Sequence, residues 1–239
     1  MTQALTFLVV IIILLIVNYE MCNKKIYENA PILNVDQVLQ TLRTGDILIS
    51  SYDNKKHPSL ICYFGMNVIG NAVGAGCNTH ATMVIVLGGV PYVLENTYYP
   101  MKDELTGTWV RSRFALVLAR DVIEQYIGRV SLHKYTGPPI KYDDNKLRIA
   151  LRHIADAYKP CYSYIAYINT IIPMPVNITK DKLLCTDSII MMWALFNITD
   201  ELASMPCNVR QIENKMTRIG YNNMGIVRNT YHKLYIESI

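Results

Sequence analysis

The sequence lacks several features that would assign a function at once. Its six cysteines, at positions 22, 62, 77, 161, 185 and 207, contain no CxxC pair. That excludes a zinc ribbon and a dithiol redox motif, and neither a metal nor a cofactor is expected. Lys24/Lys25 and Lys55/Lys56 are the only basic doublets, and the 17 tyrosines are scattered over the whole length. The net charge of +4 therefore forms no basic stripe interleaved with aromatics, and a nucleic-acid partner is not expected. There is no internal repeat and no low-complexity tract.

Charge is also missing from residues 1 to 19, where Leu5 to Val17 is almost purely aliphatic. At about 1.5 Å per residue such a helix is roughly 28 Å long, close to a hydrocarbon core of about 30 Å. The expectation is a single-pass membrane protein whose partner is the lipid bilayer. Residues 1–25 would form an N-terminal anchor with its juxtamembrane segment, and residues 26–239 one domain with a sizeable core. A cleaved signal peptide is the alternative, but no small-x-small site follows and no Lys or Arg precedes the apolar run. Lys24 and Lys25 just after the span put the bulk of the chain on the cytosolic side, where thiols are reduced. The sequons at Asn177 and Asn197 would matter only with the topology reversed. Cys22 is open to S-palmitoylation as an alternative to a plain thiol.

Val35, Val38, Leu39 and Leu42 recur at helical spacing after Asn34, an N-cap residue, and Gly45 is placed to end that helix. Strands are expected at 46–50, 80–87, 91–96, 115–119 and 130–135, with Gly88-Gly89 joining the second and third as a hairpin. Helices are expected after Asp143 or Asp144 up to Pro160, from Cys185, and between Asn208 and Gly220. The loop of residues 52–78 carries His57.

Three residues stand apart from this framework. His80 opens the strand HATMVIVL, Glu95 closes PYVLEN, and Cys185 opens the run CTDSIIMMWALF. A thiol nucleophile needs a base to take its proton and a polar group to orient that base. A two-residue Gly88-Gly89 turn sets position 80 opposite 97 and position 82 opposite 95. Glu95 then lies diagonally from His80 on the same face, within reach of two long polar side chains. A bulge or an odd loop would separate them. In the first turn of a helix, Cys185 would meet unpaired N–H groups and the positive end of the macrodipole. An ordinary buried cysteine is the plainer reading of that residue. Asp46 is read as satisfying turn amides beside Gly45, Trp109 and Trp193 as core, and His57, His133, His153 and His232 as solvated surface.

With these elements in place the chain resembles the permuted papain-like NlpC/P60 superfamily, in particular its YiiX-like branch of bacterial and poxviral members. The matching segments, in order, are Leu42-Arg43-Thr44-Gly45-Asp46-Ile47-Leu48, Thr79-His80-Ala81, Glu95, Pro160-Cys161-Tyr162-Ser163-Tyr164 and Leu184-Cys185-Thr186-Asp187-Ser188. They span roughly residues 36 to 200. The resemblance implies an α+β, circularly permuted papain-like domain, an antiparallel sheet packed on helices, behind the N-terminal transmembrane helix. It also implies Cys185 as nucleophile, His80 as base, Glu95 as its orienter and Tyr162 as a substrate-lining residue. Members of the branch often carry an acidic residue after that tyrosine and Ser-Glu after the cysteine, where this chain has Ser163 and Thr186-Asp187. The expected activity is that of a membrane-anchored cysteine hydrolase (thiol protease or amidase) or acyltransferase. Its substrate would be a peptide or a lipid acyl group, cleaved at an amide, ester or thioester bond. The other class is a non-catalytic lipid- or protein-binding membrane protein that keeps the cleft. By analogy a viral source is expected, and with it a virion membrane.

Overall fold

The structure, a computed structural model of the 239-residue chain, describes residues 2–27, 30–52, 78, 80–97, 100–111, 113–126, 128–157, 184–199 and 209–229. The elements run α1 (Thr2–Tyr27), α2 (Val35–Thr41), β1 (Ile47–Tyr52), β2 (His80–Leu87), β3 (Val90–Thr97), β4 (Met101–Asp103), β5 (Thr108–Val110) and β6 (Arg113–Leu118). They continue with α3 (Ala119–Gln125), β7 (Gly128–Tyr135), α4 (Asp144–Ala157), α5 (Cys185–Leu195), α6 (Val209–Ile219) and β8 (Tyr221–Asn229).

The expected transmembrane helix is corrected. Among the described residues no helix is long and apolar enough to cross a membrane. The uncharged part of α1 ends at Tyr19. Beyond it the same helix takes in Glu20, Lys24 and Lys25, which shorten its apolar part. The single-pass location loses its support with that helix, and the fold is an α+β assembly of an antiparallel sheet and helices.

Six strands form the main sheet in the order β6-β3-β2-β1-β7-β8, each pair antiparallel, while β4 and β5 form a separate two-stranded ribbon. Alternation along the strands sorts the core onto two faces. Ile47, Ile49, Ala81, Met83, Ile85, Leu87, Leu94 and Leu116 pack with Leu147 and Leu151 of α4, Ile189 and Trp193 of α5, and Ile212 and Met216 of α6. Leu48, Val84, Val93, Val117, Val130 and Leu132 pack on the other face with Val38 of α2 and Ile123 of α3.

The β2–β3 hairpin closes as expected, with Leu87 opposite Val90 and positive φ at Gly88 and Gly89. Asn34 caps α2, its Oδ1 accepting the Gln37 N–H at 3.1 Å. That helix ends at Thr41, before Gly45, whose role is different: it turns at φ +99° against Ile140. Asp46 plays its expected part, accepting the N–H of Arg43 at 2.8 Å and of Tyr135 at 3.1 Å, with Lys134 Nζ at 2.8 Å.

Two residues depart from expectation. Trp109, expected in the core, is 74% exposed, because the β4–β5 ribbon that carries it is not part of the main sheet. His133, expected at the surface, is half-buried on β7, which is an inner strand because β8 pairs along it. Burial lowers its pKa to about 4. Trp193 is buried and His153 exposed, as expected. His57 and His232 lie outside the described residues.

Candidate active site

The hairpin delivers the first two site residues. The register runs from Leu87 opposite Val90 to Met83 opposite Leu94, and just beyond it His80 Nε2 lies 2.6 Å from Glu95 Oε2. Thr82 donates its Oγ1 hydrogen across the same pair of strands to the Leu94 carbonyl at 2.8 Å. Both site side chains are inside, His80 at 8% exposure and Glu95 at 2%. Neighbouring strands hold them in place, since Ser50 of β1 pairs with His80 and Ala115 of β6 with Glu95.

Cys185 arrives from far along the chain. It is the first residue of α5, with Leu184 as N-cap, and the helix packs across β2 and β3. His80 shares the alternation of Thr82 and Val84, which faces away from α5. As the first residue of β2, however, it stands at the strand's end and makes a side-chain hydrogen bond with Cys185. Because Nε2 is engaged by Glu95, Nδ1 is the ring nitrogen that remains for the thiol. The three residues singled out in the sequence are thus brought together, the His80 side chain meeting both Glu95 and Cys185. Tyr162 lies outside the described residues, as do Cys62, Cys77, Cys161 and Cys207.

The electrostatics follow from this packing. Burial alone would lower the His80 pKa, but the Glu95 charge, then the Cys185 sulfur, then hydrogen bonds to both outweigh it and hold His80 well above its ordinary value. Those contacts favour the imidazolium over the neutral ring. Such a cation favours the thiolate, the nucleophilic form of cysteine.

Sequence reasoning gave no role to several residues that shape the site. Asp187 and Ser188 tie the first turn of α5, through Asp187 Oδ2 accepting the Leu184 N–H at 2.7 Å and Ser188 Oγ donating to the Cys185 carbonyl at 2.5 Å. An acidic residue three positions after the N-cap is a recognisable signal for such a tie. Asn78, two residues before His80, donates from Nδ2 to Glu213 Oε1 of α6 at 2.7 Å, and no local pattern announces that contact. Among the described residues no group of three His, Cys, Asp or Glu side chains is arranged to hold a metal ion. Neither protein-family models nor curated proteins give a match to this chain.

Proposed function

We propose that the protein is a cysteine hydrolase or acyltransferase acting on an amide, ester or thioester bond through Cys185, His80 and Glu95. The observation that carries this reading is the buried 2.6 Å His80–Glu95 contact together with the interaction of the same histidine with Cys185. The order His, Glu, Cys along the chain fits the permuted papain-like arrangement that the sequence motifs resemble.

In the proposed reaction the thiol proton passes to His80 Nδ1 and the sulfur attacks the acyl carbonyl. The C=O π electrons move onto oxygen, and the Cys185 N–H at the start of α5 is positioned to donate to that oxyanion. Collapse expels the leaving amine, alcohol or thiol, which takes the proton from the imidazolium. Neutral His80 then removes a proton from water or another acceptor, which attacks the thioester and frees the thiol. Glu95 holds the ring in the tautomer that leaves Nδ1 facing sulfur, and it offsets the cost of the buried cation.

Replacement of Cys185 by Ser should abolish turnover across a panel of peptide, ester and thioester substrates while leaving the circular dichroism spectrum unchanged. Undiminished activity in that variant excludes the mechanism. In the wild-type protein, iodoacetamide should alkylate Cys185 at neutral pH faster than it does after His80→Ala.

A further inference from the structure

One carboxylate beside the site has no part in the triad. Asp187 is wholly buried in the first turn of α5, at 0% exposure, two residues after the nucleophile. Its Oδ2 accepts the Leu184 N–H at 2.7 Å, while its own N–H donates to the Leu184 carbonyl at 3.1 Å. Residue 184 is thereby held from both its amide and its carbonyl, and the peptide between 184 and 185 with it. Ser188 completes the turn through the Cys185 carbonyl.

This arrangement has an electrostatic side. The end of α5 carries a partial positive charge of roughly half an elementary unit, which would favour a thiolate at its first residue. A carboxylate in the same turn, bonded to the N–H that precedes Cys185, opposes that field at short range and in a water-poor setting. Among the described residues the titratable group that meets Cys185 from the strands under α5 is His80 of β2, itself bonded to Glu95 of β3. Glu213 of α6 is engaged by Asn78, and the Tyr221 hydroxyl of β8 meets α5 at Trp193, eight residues along.

We infer that Asp187 is a positioning residue for Cys185: it fixes the turn that carries the thiol, and its charge offsets the helix end so that ionisation of the thiol is governed by His80. The inference rests on the triad reading above and goes beyond it, since it explains why a buried carboxylate sits where it costs the nucleophile part of its helix field.

The test is the pH profile of iodoacetamide alkylation at Cys185 in the full chain. It compares wild type, Asp187→Asn, His80→Ala and the double variant, each checked for an unchanged circular dichroism spectrum. The Asn side-chain carbonyl can still accept the Leu184 N–H, so that contact is kept while the charge is lost. Asp187→Asn should alkylate about tenfold faster than wild type at pH values below the wild-type midpoint, a downward shift of about one unit. His80→Ala should then raise the midpoint less in the Asn background than in wild type. If Asp187→Asn does not fold, Asp187→Ser removes the charge with a side chain that also accepts at a helix start, and the same shift is expected. A midpoint unmoved by loss of the charge overturns the role given to Asp187 while leaving the triad standing. A wild-type midpoint near 8.5 that His80→Ala does not change overturns the triad itself, and the inference with it.

Discussion

The role proposed for His80 depends on the groups that its imidazole meets. Its burial opposes a positive charge, and the carboxylate 2.6 Å away reverses that outcome. Glu95→Gln preserves size and hydrogen-bonding capacity but removes the charge, so burial is left without its main opponent. The His80 pKa, followed by NMR, should fall to or below about 6.5, and alkylation of Cys185 below pH 7 should slow on the order of tenfold. An unchanged His80 titration would show that the carboxylate does not set the charge of the ring. These residues were legible in the sequence because a glycine-glycine turn fixes register, and register alone places positions 80 and 95 on a diagonal. The link to Cys185 was not derivable in that way, since no local rule relates a helix start to a strand end across that separation.

At the scale of elements, the position of α5 depends on a buried polar chain as well as on apolar packing. Trp193 Nε1 donates to the Tyr221 hydroxyl at 2.9 Å, and that hydroxyl donates to the Gly45 carbonyl at 2.8 Å, so one phenol ties α5 to β8 and to the turn before β1. Tyr221→Phe leaves the indole N–H without this acceptor and the carbonyl without this donor. The expected cost is about 1–3 kcal/mol of stability, read as a lower denaturation midpoint in urea. A midpoint equal to that of wild type would mean that water replaces both contacts. Helices α4 and α6 were readable from the spacing of Leu147, Leu151 and Ile154 and of Val209, Ile212 and Met216, as was α2 from its cap. Strand β8 was not. Asn222, Asn223 and Gly225 have low strand propensity, and the strand exists because β7 pairs with it through two register shifts and residues 31–33 bond to it at Ile226. The short β4 and β5 offer too few residues for any period to emerge. The misplacing of His133 follows directly from the missing β8.

For the molecule as a whole, pH acts on stability through groups whose pKa values differ between the folded and unfolded chain. His133 titrates at about 4 when folded, against about 6.5 in the unfolded chain, so between those values the unfolded state binds more protons. Its contribution is complete above about pH 6.5 and is lost as pH falls toward 4, on the order of 3 kcal/mol at most. Glu213 works in the opposite sense. Burial, against the Asn78 hydrogen bond and Arg210, holds it above the ordinary carboxyl range, so it favours the folded state on acidification. His80, raised when folded, contributes most below about pH 6.5 and loses that contribution as pH rises through its folded pKa. The urea midpoint of His133→Gln should therefore fall less than that of wild type between pH 7 and pH 5. Equal losses would show that His133 does not govern the acid limb.

The hairpin that joins His80 to Glu95 closes over 15 residues, whereas Cys185 follows Glu95 by 90. At synthesis rates of about 5–20 residues per second, those 90 residues take about 5–18 s to emerge. A nascent chain can thus pair His80 with Glu95 well before Cys185 is made. Of the three residues of the proposed site the thiol is the last to be made, and it reaches its partners only as α5 docks on the strands that hold them. Chains interrupted between these points would carry an imidazole and carboxylate in place with no thiol to ionise. Any acyl transfer by the proposed site is in that way confined to molecules translated past Cys185 and folded through α5.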